Sequence, residues 1–101
     1  MAAQERHRNA YVVESLAIDD SAYVAIVTPI DCAYWSARPA SDAYISSNPD
    51  DVTQEDSLPA GTQEMCVAPP MYGPTRYRAG DIVAYVKSVA GAQTVSLRFL
   101  N

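Results

Sequence analysis

The sequence predicts an all-β fold: a single small antiparallel β-sandwich or barrel, of jelly-roll or immunoglobulin-like type, with seven to eight short strands. The clearest evidence is the segment 93–99, where Val95, Leu97 and Phe99 alternate with polar residues, as in a strand with one face on a core. Seven tyrosines, seven prolines and four glycines favour strands and turns over long helices. A length of 101 residues fits one domain, which we assign to 11–101.

Two strands are predicted at the start of this domain. They cover 11–18 and 21–28, with a turn at Asp19-Asp20 between them. Because the second segment has no charged residue, we expect it at the centre of a sheet, covered on both faces. The two strands together indicate a meander or Greek-key opening, since no helical spacing follows them.

The middle of the chain is predicted to alternate short strands with turns. A third strand covers 31–37, a turn 38–41 and a fourth strand 42–46. Residues 47–61 contain Asn-Pro, four acids and Pro-Ala-Gly, which predicts a long surface loop.

The remaining segments lead to the C-terminal pair of strands. A fifth strand is predicted over 62–68, an irregular connection over 69–74, a short edge strand over 76–78 and a turn over 79–81.

Residues 82–100 are predicted to form a β-hairpin, with Gly91 in the connection. A four-residue loop at 89–92 would direct Ile82, Ala84 and Val86 to the face of Val95, Leu97 and Phe99. A three-residue loop would direct Val83 and Tyr85 there instead, because a slip of one residue exchanges the faces. The four-residue loop is preferred because it leaves Lys87 in water.

The inventory of reactive residues predicts a protein that is not an enzyme and holds no cofactor or metal. The one histidine, His7, lies in the N-terminal arm, so a nucleophile with an imidazole base is not expected. Cys32 and Cys66 with one histidine do not provide the close ligand spacing of a zinc site. No glycine-rich phosphate loop is present.

Two clusters allow other interpretations. Asp50, Asp51, Glu55 and Asp56 would offer oxygen ligands to calcium, although a solvated acidic loop explains them more simply. Six aromatic residues would form a sugar-binding platform if their rings shared an exposed surface, although a single Trp in a small sandwich usually lies in the core. They are Tyr34, Trp35, Tyr44, Tyr72, Tyr77 and Tyr85.

The two cysteines lie among apolar neighbours, which favours reduced core thiols, with a disulfide between Cys32 and Cys66 as the alternative. The net charge of −5 argues against nucleic acid as a partner. No apolar run is long enough to cross a membrane, and no secretory signal is visible, so synthesis in the cytoplasm is expected.

From Pro29 onward, over about two-thirds of the chain, the pattern resembles the small structural β-proteins of tailed bacteriophages. The matching elements are the strand with Trp35, the strand 43–46 before Asn-Pro-Asp, Leu-Pro-Ala-Gly at 58–61, and Gly80-Asp81 before the final pair of strands. The resemblance implies a structural subunit of the virion, such as a capsid-decorating or cement protein or another head or tail component.

The partners implied by this resemblance are other virion proteins and further copies of the chain. We expect the contacts at an edge or end of the sandwich and along the arm at 1–10, which would otherwise be a disordered terminus. The predicted contact residues are Arg6, His7, Arg8, Tyr11, Tyr72 and Tyr77.

Overall fold

The computed structural model describes residues 11–62, 64–67 and 77–100, with the backbone alone for 64–67. These residues form eight strands and one 3-10 turn at Val52–Gln54. The strands are β1 (Tyr11–Ile18), β2 (Val24–Val27), β3 (Tyr34–Pro39), β4 (Ala43–Ser46), β5 (Glu55–Leu58), β6 (Glu64–Val67), β7 (Ile82–Ser88) and β8 (Gln93–Leu100). No helix among the described residues has the length and apolar character needed to cross a bilayer.

The strands form two four-stranded antiparallel sheets. The first sheet has the order β1-β8-β3-β6 and the second the order β2-β7-β4-β5. The first strand therefore pairs with the last, the second with the seventh, the third with the sixth and the fourth with the fifth. A long hairpin rolled into two layers gives this pairing, which is the jelly-roll topology. The all-β sandwich prediction is confirmed.

The core lies between the two sheets and is built from alternate residues of the central strands. Val95, Leu97 and Phe99 of β8 are buried, as predicted, and so are Ala84 and Val86 of β7. Other core residues are Ile18, Ile26, Cys32, Trp35, Ala37, Ala43 and Leu58.

The predicted C-terminal hairpin is wrong. β7 pairs with β2 and β4, whereas β8 pairs with β1 and β3, so the connection at 89–92 carries the chain from one sheet to the other. Gly91 has φ +70° in this connection, and its N–H donates to Asp20 Oδ2 at 3.1 Å. Because the two strands face each other across the core, neither predicted loop register applies. The face assignment is right for Ala84 and Val86, whereas Ile82 is exposed.

The predicted position of the second strand is also wrong. β2 lies at an edge of the second sheet, is shorter than predicted, and has a register irregularity between Ile26 and Val27. Its uncharged sequence is tolerated because only Ile26 of its residues is fully buried and the strand is four residues long. β1 and β2 belong to different sheets, so they do not open the fold as a meander.

The predicted loop at 47–61 contains a strand. β5 pairs with β4 in a hairpin, and Leu58 at its end is fully buried. Glu55 and Asp56 are compatible with this strand because it lies at the edge of the second sheet, where Asp56 is exposed and Glu55 accepts a hydrogen bond from the Tyr23 hydroxyl.

Several strand boundaries differ from the predictions. β3 continues through Arg38 to Pro39, where a turn was expected. Pro39 is tolerated because the pairing of β3 with β6 ends at Ala37, so Pro39 pairs on one side only, with β8. Before this strand, Cys32 makes an isolated bridge to Tyr77, which is all that the described residues show of the edge strand predicted over 76–78. The connection predicted over 69–74 lies outside the described residues.

Candidate functional site

The outer face of the first sheet is the candidate site, and its composition follows from the alternation of the strands. Because Val95, Leu97 and Phe99 point into the core, the residues between them point outward. The register then places Tyr11 and Tyr34 on either side of Leu100 in one row across the sheet. The next row places Val13 and Ser36 on either side of Arg98.

Large apolar side chains are exposed on this face. Tyr11 is 52% exposed, Val13 56% and Tyr34 44%. They occupy two adjacent rows of the sheet, so they form one surface and are not isolated exceptions. We call Tyr11, Val13, Tyr34, Arg98 and Leu100 the outer patch. Contiguous exposed apolar surface of this kind is typical of an interaction site.

The charges on this face differ from those of the chain as a whole. The protein has a net charge of −5, yet β1, β3 and β8 place no carboxylate on the outer face. Glu14 is the one acidic residue of these strands, and it lies in the row of the inward-facing Leu97. Arg38 and Arg98 are exposed on the outer side. Tyrosine and arginine without competing acids are the residues that most often dominate binding energy in protein interfaces.

Of the six contact residues predicted from the sequence, the structure places Tyr11 in the outer patch. Tyr77 is elsewhere and half-buried, and its backbone exchanges hydrogen bonds of 2.9 and 2.8 Å with that of Cys32. Arg6, His7, Arg8 and Tyr72 lie outside the described residues.

Val13, Arg98 and Leu100 are not among the contact residues predicted from the sequence, and Tyr34 is predicted only as a possible member of a sugar-binding platform. The alternation of β8 does indicate that Arg98 faces outward. Its proximity to Tyr11 and Tyr34 depends on pairings between distant parts of the chain.

The alternative interpretation of six aromatic residues as a sugar-binding platform does not hold for its described members, because they do not share a surface. Tyr34 lies on the outer face of the first sheet, and Trp35 is in the core at 2% exposure. Tyr44 and Tyr85 belong to the second sheet, where they lie opposite Lys87 and Ser46.

The outer face of the second sheet carries a different cluster of aromatic residues, whose members contact the neighbouring charged side chains. Lys87 Nζ lies 4.9 Å from the ring centroid of Tyr23 and 5.8 Å from that of Tyr44, within cation–π range. The Tyr23 hydroxyl donates to Glu55 Oε2. Burial, and next the hydrogen bond to Glu55, raise the pKa of Tyr23 above its ordinary value. These internal contacts leave fewer free polar groups for a ligand than the outer patch does.

Two carboxylates around the β4–β5 connection, those of Asp51 and Asp56, accept local hydrogen bonds. Asp51 Oδ1 accepts hydrogen bonds from the hydroxyl and N–H of Thr53, and these bonds lower the pKa of Asp51. Asp56 Oδ1 accepts from the N–H of Ser57. Within the described part of the chain, no three His, Cys, Asp or Glu residues are grouped so that they would hold a metal ion.

Cys32 is a fully buried free thiol, as the core-thiol prediction requires. The side chain of Cys66 lies outside the described residues, although its backbone is placed opposite Trp35 in β6. Burial raises the pKa of Cys32, and the charges of Asp31 and Asp81 raise it further. A thiol held protonated in this way is a poor nucleophile.

Fold and surface together define a small jelly-roll domain with a tyrosine- and arginine-bearing face on its first sheet. Comparison with protein-family models, curated proteins and solved structures finds no match to this chain.

Proposed function

We propose that this chain is a non-enzymatic structural subunit of a tailed-bacteriophage virion, most simply a capsid decoration or cement protein or another head or tail component. The observation that carries the proposal is the outer patch, where Tyr11, Val13 and Tyr34 are exposed beside Arg98. Through it the subunit would bind other virion proteins, in the capsid or in the neck and tail. Synthesis would take place in the host cytoplasm and the mature location would be the virion.

The chemistry of the outer patch defines the partner surface that it fits. Two tyrosine rings and aliphatic side chains need an apolar counterpart, and Arg38 and Arg98 need carboxylates or carbonyl oxygens at its border. Attachment repeated over many symmetry-related subunits would compensate for a small contact area in each. The jelly-roll topology also supports the proposal, because viral capsid domains use it, but this is an analogy at the level of the fold.

The first experiment examines virions from the source of this sequence. Mass spectrometry of density-gradient-purified particles should detect the chain in a fixed ratio to the major capsid or tail protein. Particles that lack the chain would contradict the proposal.

A second experiment tests the outer patch by mutation. Purified chain is added back to particles assembled without it, and bound protein is measured after sedimentation. We expect Tyr34→Ser and Arg98→Ser each to reduce binding about tenfold or more, the range of interface hot spots. Tyr85→Ser, on the outer face of the second sheet, is the matched control and should bind like the unmodified chain. Equal losses for all three variants would contradict a role of the outer patch.

A carbohydrate- or receptor-binding module is the second candidate, and the tyrosines of the second sheet favour it. Tyr23, Tyr44 and Lys87 lie together there, and stacking on aromatic rings is a common mode of recognition. Titration with bacterial surface glycans, followed by NMR of the chain, tests this alternative. Shifts confined to residues of the second sheet would favour it over the virion subunit.

A further inference from the structure

The free edge of β1 is the longest sheet edge among the described residues, and its one protective feature is the charge of Glu14, which lies in the row of the inward-facing Leu97. β1 has eight residues and pairs on one side only, with β8. It contains no proline, lysine or arginine, and its single charge is Glu14. Proteins normally protect such an edge, because unpaired N–H and C=O groups template the addition of another strand.

The other three edge strands are shorter than β1, and two of them carry further protection. β2 has four residues and a register irregularity beside Val27. β5 has four residues and carries Glu55 and Asp56. β6 has four residues. Each of these edges is therefore short, and two of them are irregular or charged.

We propose that the edge of β1 pairs in antiparallel orientation with β1 of a second copy. The two copies of Ser15 would lie directly opposite each other, with the twofold axis between them. The two first sheets would then join into one continuous sheet with four strands from each copy. The inference deepens the proposed function, since it names the surface through which copies associate. It is tested on the purified chain alone, so its outcome is separate from that of the virion experiments.

A second copy fits this edge because β1 carries little charge. The chain as a whole carries −5, so two copies repel each other over most of their surfaces. Along β1 only Glu14 contributes to that repulsion. Pairing would also place two outer patches on one face, because Tyr11 and Val13 belong to β1.

The register follows from the faces of the strand. Residues directly opposite each other in an antiparallel pair lie on the same face. In a symmetric pair of β1 strands, one residue must therefore lie opposite its own copy, with the twofold axis between the two. Axes at Glu14 and Ser15 give the longest pairings, over 11–17 and 12–18. The axis at Glu14 would place two carboxylates directly opposite each other, which is unfavourable. The axis at Ser15 sets Glu14 opposite the second copy's Leu16 and Val13 opposite its Ala17.

Disulfide trapping tests this register. Residues opposite each other have Cα atoms about 4.5–5.5 Å apart, within the range of a disulfide. Under mild oxidation Ser15→Cys should form a covalent dimer. Ser96→Cys is the matched control, because Ser96 lies beside Ser15 on the same face but in the interior strand β8. The unmodified chain gives the background from Cys32 and Cys66.

Association in solution provides the second measurement. Light scattering coupled to size exclusion should give a mass near twice 10.9 kDa at high concentration. Ala17→Lys should weaken the dimer about tenfold, because a lysine on the edge opposes strand addition. Thr94→Lys, on the neighbouring position of β8, should have little effect. Circular dichroism should show that both variants are folded, since both positions are exposed.

Three results would overturn the inference. The first is a chain that stays monomeric at about 1 mM, where even weak association is detected. The second is a dimer in which Ser15→Cys is oxidised no faster than Ser96→Cys. The third is a chain that dimerises only after deletion of residues 2–10, because the edge would then be covered by its own N-terminal arm.

Discussion

Phe99 and Arg98 are adjacent in sequence but differ completely in environment. Phe99 is fully buried, between Val12 and Trp35 in the register, whereas Arg98 is exposed. We expect Phe99→Ala to lower the free energy of unfolding by about 3–5 kcal/mol, because it leaves a cavity in the core. Arg98→Ala should change it by no more than about 0.5 kcal/mol. Urea denaturation measures both, and similar losses would contradict the assignment of faces in β8.

Cys32 gives a prediction about reactivity and pH. Burial raises its pKa, so the folded state holds the proton more tightly than the unfolded state. The stabilising contribution of the thiol is complete below the unfolded pKa and is lost as pH rises through the folded pKa. Stability should therefore fall at alkaline pH, and less so in Cys32→Ala.

Alkylation provides the matching measurement for this thiol. At pH 8 iodoacetamide should label Cys32 only after unfolding, as read by peptide mapping. An engineered cysteine at the exposed Ser57 is the control and should react at once. Equal labelling rates at the two positions would contradict the buried environment.

The connection between β7 and β8 depends on Gly91. Its φ of +70° is in the left-handed region, and a Cβ there would meet no atom within 4 Å. The cost of Gly91→Ala is therefore conformational strain, about 1–2 kcal/mol, without a steric clash. Gly91→Asn should cost less, because asparagine tolerates this region better. Thermal or urea unfolding of the two variants measures the difference, and equal costs would contradict the explanation.

The same connection shows what the sequence could and could not predict. Alternation in β8 identified Val95, Leu97 and Phe99 as core residues. It did not identify the partner strands, because a hairpin and a connection between two sheets bury the same alternate residues. In a hairpin the two apolar sets lie side by side, and in this fold they face each other across the core. Sequence periodicity is identical in the two cases.

β5 was not predicted from the sequence, for a different reason. A strand of four residues at an edge needs one buried side chain, here Leu58, and its remaining residues are acidic or small. Such a segment has too few apolar positions to show a period, and the surrounding Asn-Pro and Pro-Ala-Gly indicated a loop. Short edge strands are thus the elements that local patterns identify least well.

The candidate site shows the same limit at the scale of the molecule. Tyr11, Leu100 and Tyr34 come from the first, last and third strands, and only their pairing brings them into one row. The sequence indicated Tyr11 as a contact residue and the edge or end of a sandwich as the surface. The strand order of the sheet was needed to show that these tyrosines lie beside Arg98. It was also needed to show that β1, β3 and β8 contribute no acidic residue to this face.

The pairing scheme has a consequence for folding kinetics. Apart from the β4–β5 hairpin, each strand pair joins segments separated by at least one other strand, up to β1 with β8. Such long loops must close before their contacts stabilise the chain, and β-sandwiches of this kind fold in milliseconds to seconds. Trp35, the only tryptophan, lies in β3 and is buried in the core between the two sheets, so its fluorescence reports the packing of the sheets against each other.

Stopped-flow refolding from urea should therefore show its main Trp35 phase on the millisecond-to-second scale, with slower phases from isomerisation of the seven prolines in the unfolded chain. Among the described strands, the β4–β5 hairpin is the one local pairing, and it lies in the second sheet. Leu58→Ala, at the end of this hairpin, should slow refolding if the hairpin forms in the transition state, whereas Val12→Ala in β1 should mainly accelerate unfolding. If the chain instead folded from its two ends, Val12→Ala would slow refolding more than Leu58→Ala.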